Sequence, residues 1–215
     1  SSSAASDVYK RQAAYHEAGH ALVSASIPEA EPVRKISIVA RGVAAGYTLK
    51  MPAEERKIKS KSEFLAEMAT LLGGYCAEKI KFGQITTGAA NDLEKASELA
   101  RKLVKEYGMS ALGPISFGEK EEFIFLGKEI SEKRNYSEKI ASQIDREVAK
   151  FIKNAQSQAA KILGERKKIL EKIAKTLIEK ETIEKEEFES LVKEREISRV
   201  KKTLKIHSLK VRKIE

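Results

Sequence analysis

The sequence has no tryptophan, one cysteine, four prolines and three histidines in 215 residues. The single Cys76 excludes an intrachain disulfide and suits a reducing compartment, so stability has to come from a packed core. The prolines, at positions 28, 32, 52 and 114, all fall outside the long helical patterns. No run of about 18 apolar residues occurs, so no segment is a candidate bilayer span, and no secretory signal pattern is present. A phosphate-binding G-x-x-x-x-G-K-[ST] loop is also missing; the nearest stretch, GVAAGYT over 42–48, lacks the lysine. These residues therefore supply no ATP site of their own.

What remains is a chain with 41% hydrophobic and 34% charged residues, the balance of a helix-rich globular protein. The net charge of +9 is uneven: residues 197–215 hold seven Lys/Arg against one Glu, so 7 − 1 = +6 lies in the tail and +3 in the rest. A basic tail can touch nucleic acid or an anionic membrane face, but a solvated end is the simpler reading, and a nucleic-acid partner is not expected. A nucleic-acid binder would show salt-sensitive binding that disappears with residues 197–215.

The expected fold class is mainly α, with a small β element and a C-terminal helical bundle. Residues 1–12, SSSAASDVYKRQ, read as a non-native or disordered leader outside the fold, with the native sequence beginning further upstream. Residues 13–134 read as the core, 135–195 as a helical part of the same domain, and 196–215 as the basic tail. Within the core, residues 13–25 have a helical pattern. Residues 33–39, with Ile36, Ser37, Ile38 and Val39, read as a strand, and residues 47–49 as a second. Ser62 is the expected cap of a helix over 63–80. Gly73 and Gly74 interrupt that helix at about 1 kcal/mol each relative to alanine, which makes sense where another helix crosses closely. TTGAAND, residues 86–92, starts the next helix, which runs to about residue 107. A short strand is expected at 123–126, and nearly continuous helix over 137–194.

The chemistry concentrates in AAYHEAGHALVSAS, residues 13–26. Positions i and i+4 of a helix lie about 40° apart, so His16 and His20 can aim two imidazoles at one point. Neutral imidazole is a good zinc ligand. Glu17, about 100° from His16, falls beside a metal held there, where it can move a proton to and from water. This is the H-E-x-x-H pattern. Two core histidines are the alternative, but three polar groups in an Ala-rich buried helix need partners or a metal. A zinc site needs a third protein ligand. Position 26 is serine, His207 lies in the tail, and Cys76 is a poor candidate, so a carboxylate is expected. On a helical wheel Asp92 is the one charge on the apolar face of its helix, with Ala96, Leu99 and Leu103 within about 40° of it. The wheel alone leaves two roles open, metal ligand or N-terminal cap.

YHEAGHALV, GGYCAEKIKFGQITTGAANDLEKASELAR and EYGMSALGPISFG occur in that order. Together they resemble the peptidase domain of FtsH, a membrane-anchored ATP-dependent zinc protease, over about residues 13–193. The resemblance implies a helical zinc-metalloprotease domain that binds one Zn2+ through His16, His20 and Asp92, with Glu17 as the catalytic glutamate. The interval 92 − 20 = 72 suits the family's spacing. Tyr75 and Cys76 depart from the family's usual Arg and Ala, which implies altered packing and not lost chemistry. The resemblance further implies endopeptidase action on unfolded and membrane proteins in quality control. It implies a homo-hexamer in the full-length protein, ATP use through an ATPase module absent from this chain, and membrane contact through a segment also absent. The place of action would be the cytoplasmic face of a bacterial inner membrane, with this piece alone soluble. Ile36, Ser37, Ile38 and Val39 are expected to offer a free strand edge to an extended substrate, or else to be an ordinary core strand. The alternative function is a non-catalytic structural or interaction module that keeps the metalloprotease fold.

Overall fold

The computed structural model describes residues 2–39, 46–50, 58–117 and 136–193, with side chains from residue 7 onward except at Lys50. The fold is mainly α. Its helices are α1 (Ser2–Ser24), α2 (Lys61–Leu71), α3 (Gly73–Phe82), α4 (Ala90–Lys105), α5 (Glu138–Glu165) and α6 (Lys167–Lys180). Its strands are β1 (Val33–Ser37), β2 (Tyr47–Lys50) and β3 (Thr182–Glu184).

Helix α1 is the central element and packs against α2, α3, α5, α6 and the sheet. Its second half is built for burial: Ala14, Ala18, Ala21, Leu22 and Val23 are all fully enclosed. Small side chains let neighbouring backbones come close, and α3 takes this furthest. A Cβ added to Gly73 would stand 2.7 Å from the Gly19 carbonyl oxygen, and one on Gly19 would strike the Gly73 carbonyl. The helix cost of these glycines is thus offset by a backbone-to-backbone crossing, the close crossing that the Gly73–Gly74 pair predicts.

Several boundaries differ from expectation for local reasons. Residues 2–12, expected as a leader, form the first turns of α1. Lys10 pairs with Glu181 at 2.7 Å, and the Arg11 guanidinium lies 5.8 Å from the Phe82 ring centre. The cap of α2 is Ser60, not Ser62: its hydroxyl accepts from the Glu63 amide while the Glu63 carboxylate accepts from the Ser60 amide. This reciprocal box satisfies two amide donors that a lone Ser62 cap could not. The expected single helix over 63–80 is divided at Leu72, whose ψ of −2° turns α3 away from α2. The strand expected at 123–126 and the tail over 196–215 lie outside the described residues.

The sheet order is β2-β1-β3, so β1 is the central strand. Ile36 and Ser37 pair with Thr48 and Tyr47 on one side, and with Ile183 and Thr182 on the other. Ile38 donates its amide to the Glu181 carbonyl at 2.9 Å. Ile36, Ser37 and Ile38 are buried, and only Val39 is exposed. The edge expected to be free is therefore occupied from Ile36 to Ile38, by a strand that the helical reading of 137–194 did not contain. Glu181 closes α6 in the left-handed region (φ 61°) and redirects the chain into β3. Complete burial of Ile183 there contributes roughly 1.5–3 kcal/mol, which outweighs the helix propensity of a three-residue stretch.

Candidate metal centre

Helix α1 delivers His16 and His20 to one side of the α1–α3 crossing. Their outer ring nitrogens are fixed from behind. His16 Nδ1 donates to Glu78 Oε1 at 2.6 Å, and His20 Nδ1 donates to the Thr70 carbonyl at 2.7 Å. A carboxylate and a carbonyl can only accept, so both Nδ1 atoms carry hydrogen and both Nε2 atoms turn forward, toward Asp92. The partner of His20 comes from α2 and that of His16 from α3, so two further helices set the ring planes.

The third group arrives from α4. Thr86 caps a short 3-10 turn, Thr87–Ala89, which leads into that helix. Asp92 sits in its first turn, yet its Oδ2 faces the imidazoles: it lies 3.2 Å from both His16 Nε2 and His20 Nε2, which are 2.9 Å from each other. Three donors around a tetrahedral zinc at about 2.05 Å would stand about 3.3 Å apart. The observed triangle is slightly smaller than that and has the right composition: two imidazole nitrogens and a carboxylate oxygen. Among the described residues, His16, His20 and Asp92 are the one set of side chains that converge in this way. Glu17 is not among them. Its carboxylate accepts a hydrogen bond from the Thr48 hydroxyl at 2.7 Å, beside the triangle. Of the residues singled out in the sequence, His16, Glu17, His20 and Asp92 come together, whereas Ile36, Ser37 and Ile38 remain in the sheet interior.

Glu78 was not anticipated. It is 1% exposed, and besides holding His16 it accepts the Thr86 amide at 2.8 Å through Oε2. One carboxylate thus ties the His16 ring to the start of the segment that carries Asp92. A signal was present: Glu78 falls four residues after Gly74, on the buried face of α3, where an unpaired carboxylate would be costly. Burial acts to raise the Glu78 carboxyl, but the bonds to His16 and Thr86 outweigh it and hold the pKa low. For His16, burial acts to lower the pKa; hydrogen bonds to Asp92 and Glu78 and the charge of Glu17 reverse this and raise it to about 9. Burial likewise works against ionised Asp92, and the two histidines overcome it and hold its carboxyl well below the usual range. The triangle is therefore a place that demands positive charge, which a proton meets without metal and a dication meets better.

An open cleft of 1070 Å3 lies over these groups, lined also by Tyr9, Gln12, Gly46, Tyr47, Thr48 and Lys95. Cys76 faces away from it, with Sγ 3.6 Å from the Gln156 carbonyl of α5. Burial pushes its thiol up to about 11 against the opposing charge of Lys79. Because the thiolate is the nucleophile, Cys76 in the folded chain should react with a disulfide reagent at pH 8 at least about 100-fold more slowly than after denaturation. Absorbance of the released thiol chromophore over time measures this.

The model of the family described as Peptidase family M41 matches residues 3–191. The chain belongs to peptidase family M41. Curated relatives are similar across most of it. The ATP-dependent zinc metalloprotease FtsH 1 of Thermomicrobium roseum is 50% identical over 186 residues, which is 86% of this chain and 28% of that protein. The ATP-dependent zinc metalloprotease FtsH of Thermotoga maritima is 49% identical over 187 residues, covering 86% of this chain and 31% of that protein. The M41 chain thus spans under a third of the length of these relatives. Among its described residues no helix is long and apolar enough to cross a membrane.

Proposed function

We propose that this chain is the proteolytic part of an ATP-dependent zinc metalloprotease and cleaves internal peptide bonds. The observation that carries this reading is the convergence of His16 Nε2, His20 Nε2 and Asp92 Oδ2 beside the Glu17 carboxylate. His16, His20 and Asp92 would hold one Zn2+. Bound there, the ion supplies Lewis acidity toward the scissile carbonyl and lowers the pKa of water. Glu17 accepts a proton from the attacking water and returns it to the departing amine. Glu78 and the Thr70 carbonyl keep the two imidazoles in the tautomer and orientation this requires.

Strand β2 replaces β1 as the element that meets substrate. It is an outer strand of the sheet, and Gly46, Tyr47 and Thr48 line the cleft. An extended peptide laid along it gains backbone hydrogen bonds with little dependence on side chains, which suits breakdown of many unfolded proteins. Similarity to FtsH proteins supports the wider setting: a homo-hexamer at the cytoplasmic face of a bacterial membrane, fed with unfolded and membrane proteins by an ATPase module. Zinc analysis of the wild-type chain and Asp92→Ala, with casein hydrolysis on the same samples, tests the centre. About one zinc per chain is expected in wild type, and loss of most of it in the variant. A zinc-free wild type purified without chelator, or full zinc in Asp92→Ala, would overturn the ligand set.

A further inference from the structure

We propose that Thr48 is a positioning residue for Glu17: its hydroxyl, fixed by the edge strand, selects the orientation in which the carboxylate can exchange protons with water. This rests on the reading of Glu17 as general base. The Glu17 side chain has several rotatable bonds and sits on the rim of an open cleft, so its helix alone does not determine where the carboxylate points. Thr48 Oγ1 donates to Glu17 Oε2 at 2.7 Å and also lies 3.4 Å from the Glu17 carbonyl oxygen. Among the described residues it is the one hydrogen-bond partner of that carboxylate.

The strand is shaped for this contact. Alternate residues of a strand face the same side, so Gly46 and Thr48 both turn toward α1. A Cβ at Gly46 would lie 3.0 Å from Glu17 Cγ and 3.2 Å from Oε1. The absent side chain lets β2 run against the stem of Glu17, while Thr48, two residues on, grips its end. Thr48 pairs in register with fully buried Ile36 of the central strand, which anchors its backbone. Threonine is β-branched and stiff at its first side-chain torsion, so the anchored backbone fixes the hydroxyl as well. The bond engages Oε2 and leaves Oε1 for the proton that moves.

Thr48→Val keeps shape and strand propensity and removes the donor; Thr48→Ser keeps the donor. On a fluorogenic peptide, Thr48→Val should lower kcat about 10- to 100-fold, with KM within about twofold and zinc content unchanged. Thr48→Ser should recover most of kcat. An unchanged kcat in Thr48→Val, or a loss confined to KM, would overturn the proposal. Glu17→Gln measured alongside separates the two readings. If it hydrolyses at close to the wild-type rate, the general-base assignment has failed; if it is slowed at least about 100-fold while Thr48→Val is fully active, only the positioning role has. A readout without turnover is the urea midpoint of the chain. Thr48→Val should lower it when Glu17 is present and leave it unchanged in a Glu17→Ala background. Equal shifts in both backgrounds would show that the hydroxyl does not act through Glu17.

Discussion

Glu17→Gln is expected to retain the zinc of the wild-type chain and to lose about a hundredfold to ten-thousandfold in kcat for peptide hydrolysis. The two halves of this result have separate physical origins. Zinc stays because Glu17 is outside the converging donors, which are His16, His20 and Asp92. The fold stays because glutamine has nearly the same shape, and its amide oxygen can accept the Thr48 hydroxyl as the carboxylate does. Activity falls because an amide cannot accept and return a proton near neutral pH. Glu17 is 8% exposed, so bulk water is a poor substitute from that side. The variants to compare are Glu17→Gln and Asp92→Ala, read by metal analysis and by initial rates on one peptide. The first should be zinc-replete and slow, the second zinc-poor and slow. Glu17→Gln with undiminished activity would remove the general base from the mechanism.

The convergence of the candidate metal centre was largely legible in the sequence because most of its information is local. Two histidines one helical turn apart share a direction whatever the rest of the chain does. Asp92 announced itself as the lone charge on an apolar arc, and of its two possible roles the resemblance favours the metal ligand. Glu78 was harder. Its purpose lies with His16, 62 residues away, and nothing in the sequence of α3 names that partner. The sheet was least legible for the same reason. Whether β1 is an edge or a centre depends on β3, three residues paired across about 145 positions and set among strong helix formers. Without β3 in the reading, β1 was expected to have a free edge, which β3 in fact occupies. The paired glycines lie between these extremes: their cost announced a close crossing, but only the folded chain says that the crossing element is the histidine helix.

Gly74→Ala is expected to weaken zinc binding by about 10- to 100-fold, as much as losing a full supporting contact of a metal site. The added methyl would lie 2.5 Å from His16 Cε1 and Nε2 and 2.6 Å from His20 Nε2, among the donor atoms themselves. Flexible side chains could step aside, but these rings are held at the back, one by Glu78 and one by the Thr70 carbonyl. Retreat would break a buried hydrogen bond at about 1–3 kcal/mol. Helix α3 cannot back away either, because the Gly19–Gly73 crossing one residue earlier locks it to α1. The methyl must therefore displace the imidazoles or strain the crossing, so overpacking of about 1–3 kcal/mol should also lower the melting temperature. Gly164→Ala is the control. It lies within α5, and a Cβ there meets nothing within 4 Å. It should keep its zinc and gain up to about 1 kcal/mol from helix propensity. Competition with a chromogenic chelator and thermal melts of the metal-free chains check both halves. Wild-type zinc affinity in Gly74→Ala would mean that the donor triangle tolerates a methyl at its centre, and the arrangement of His16 and His20 described above would then have to be abandoned.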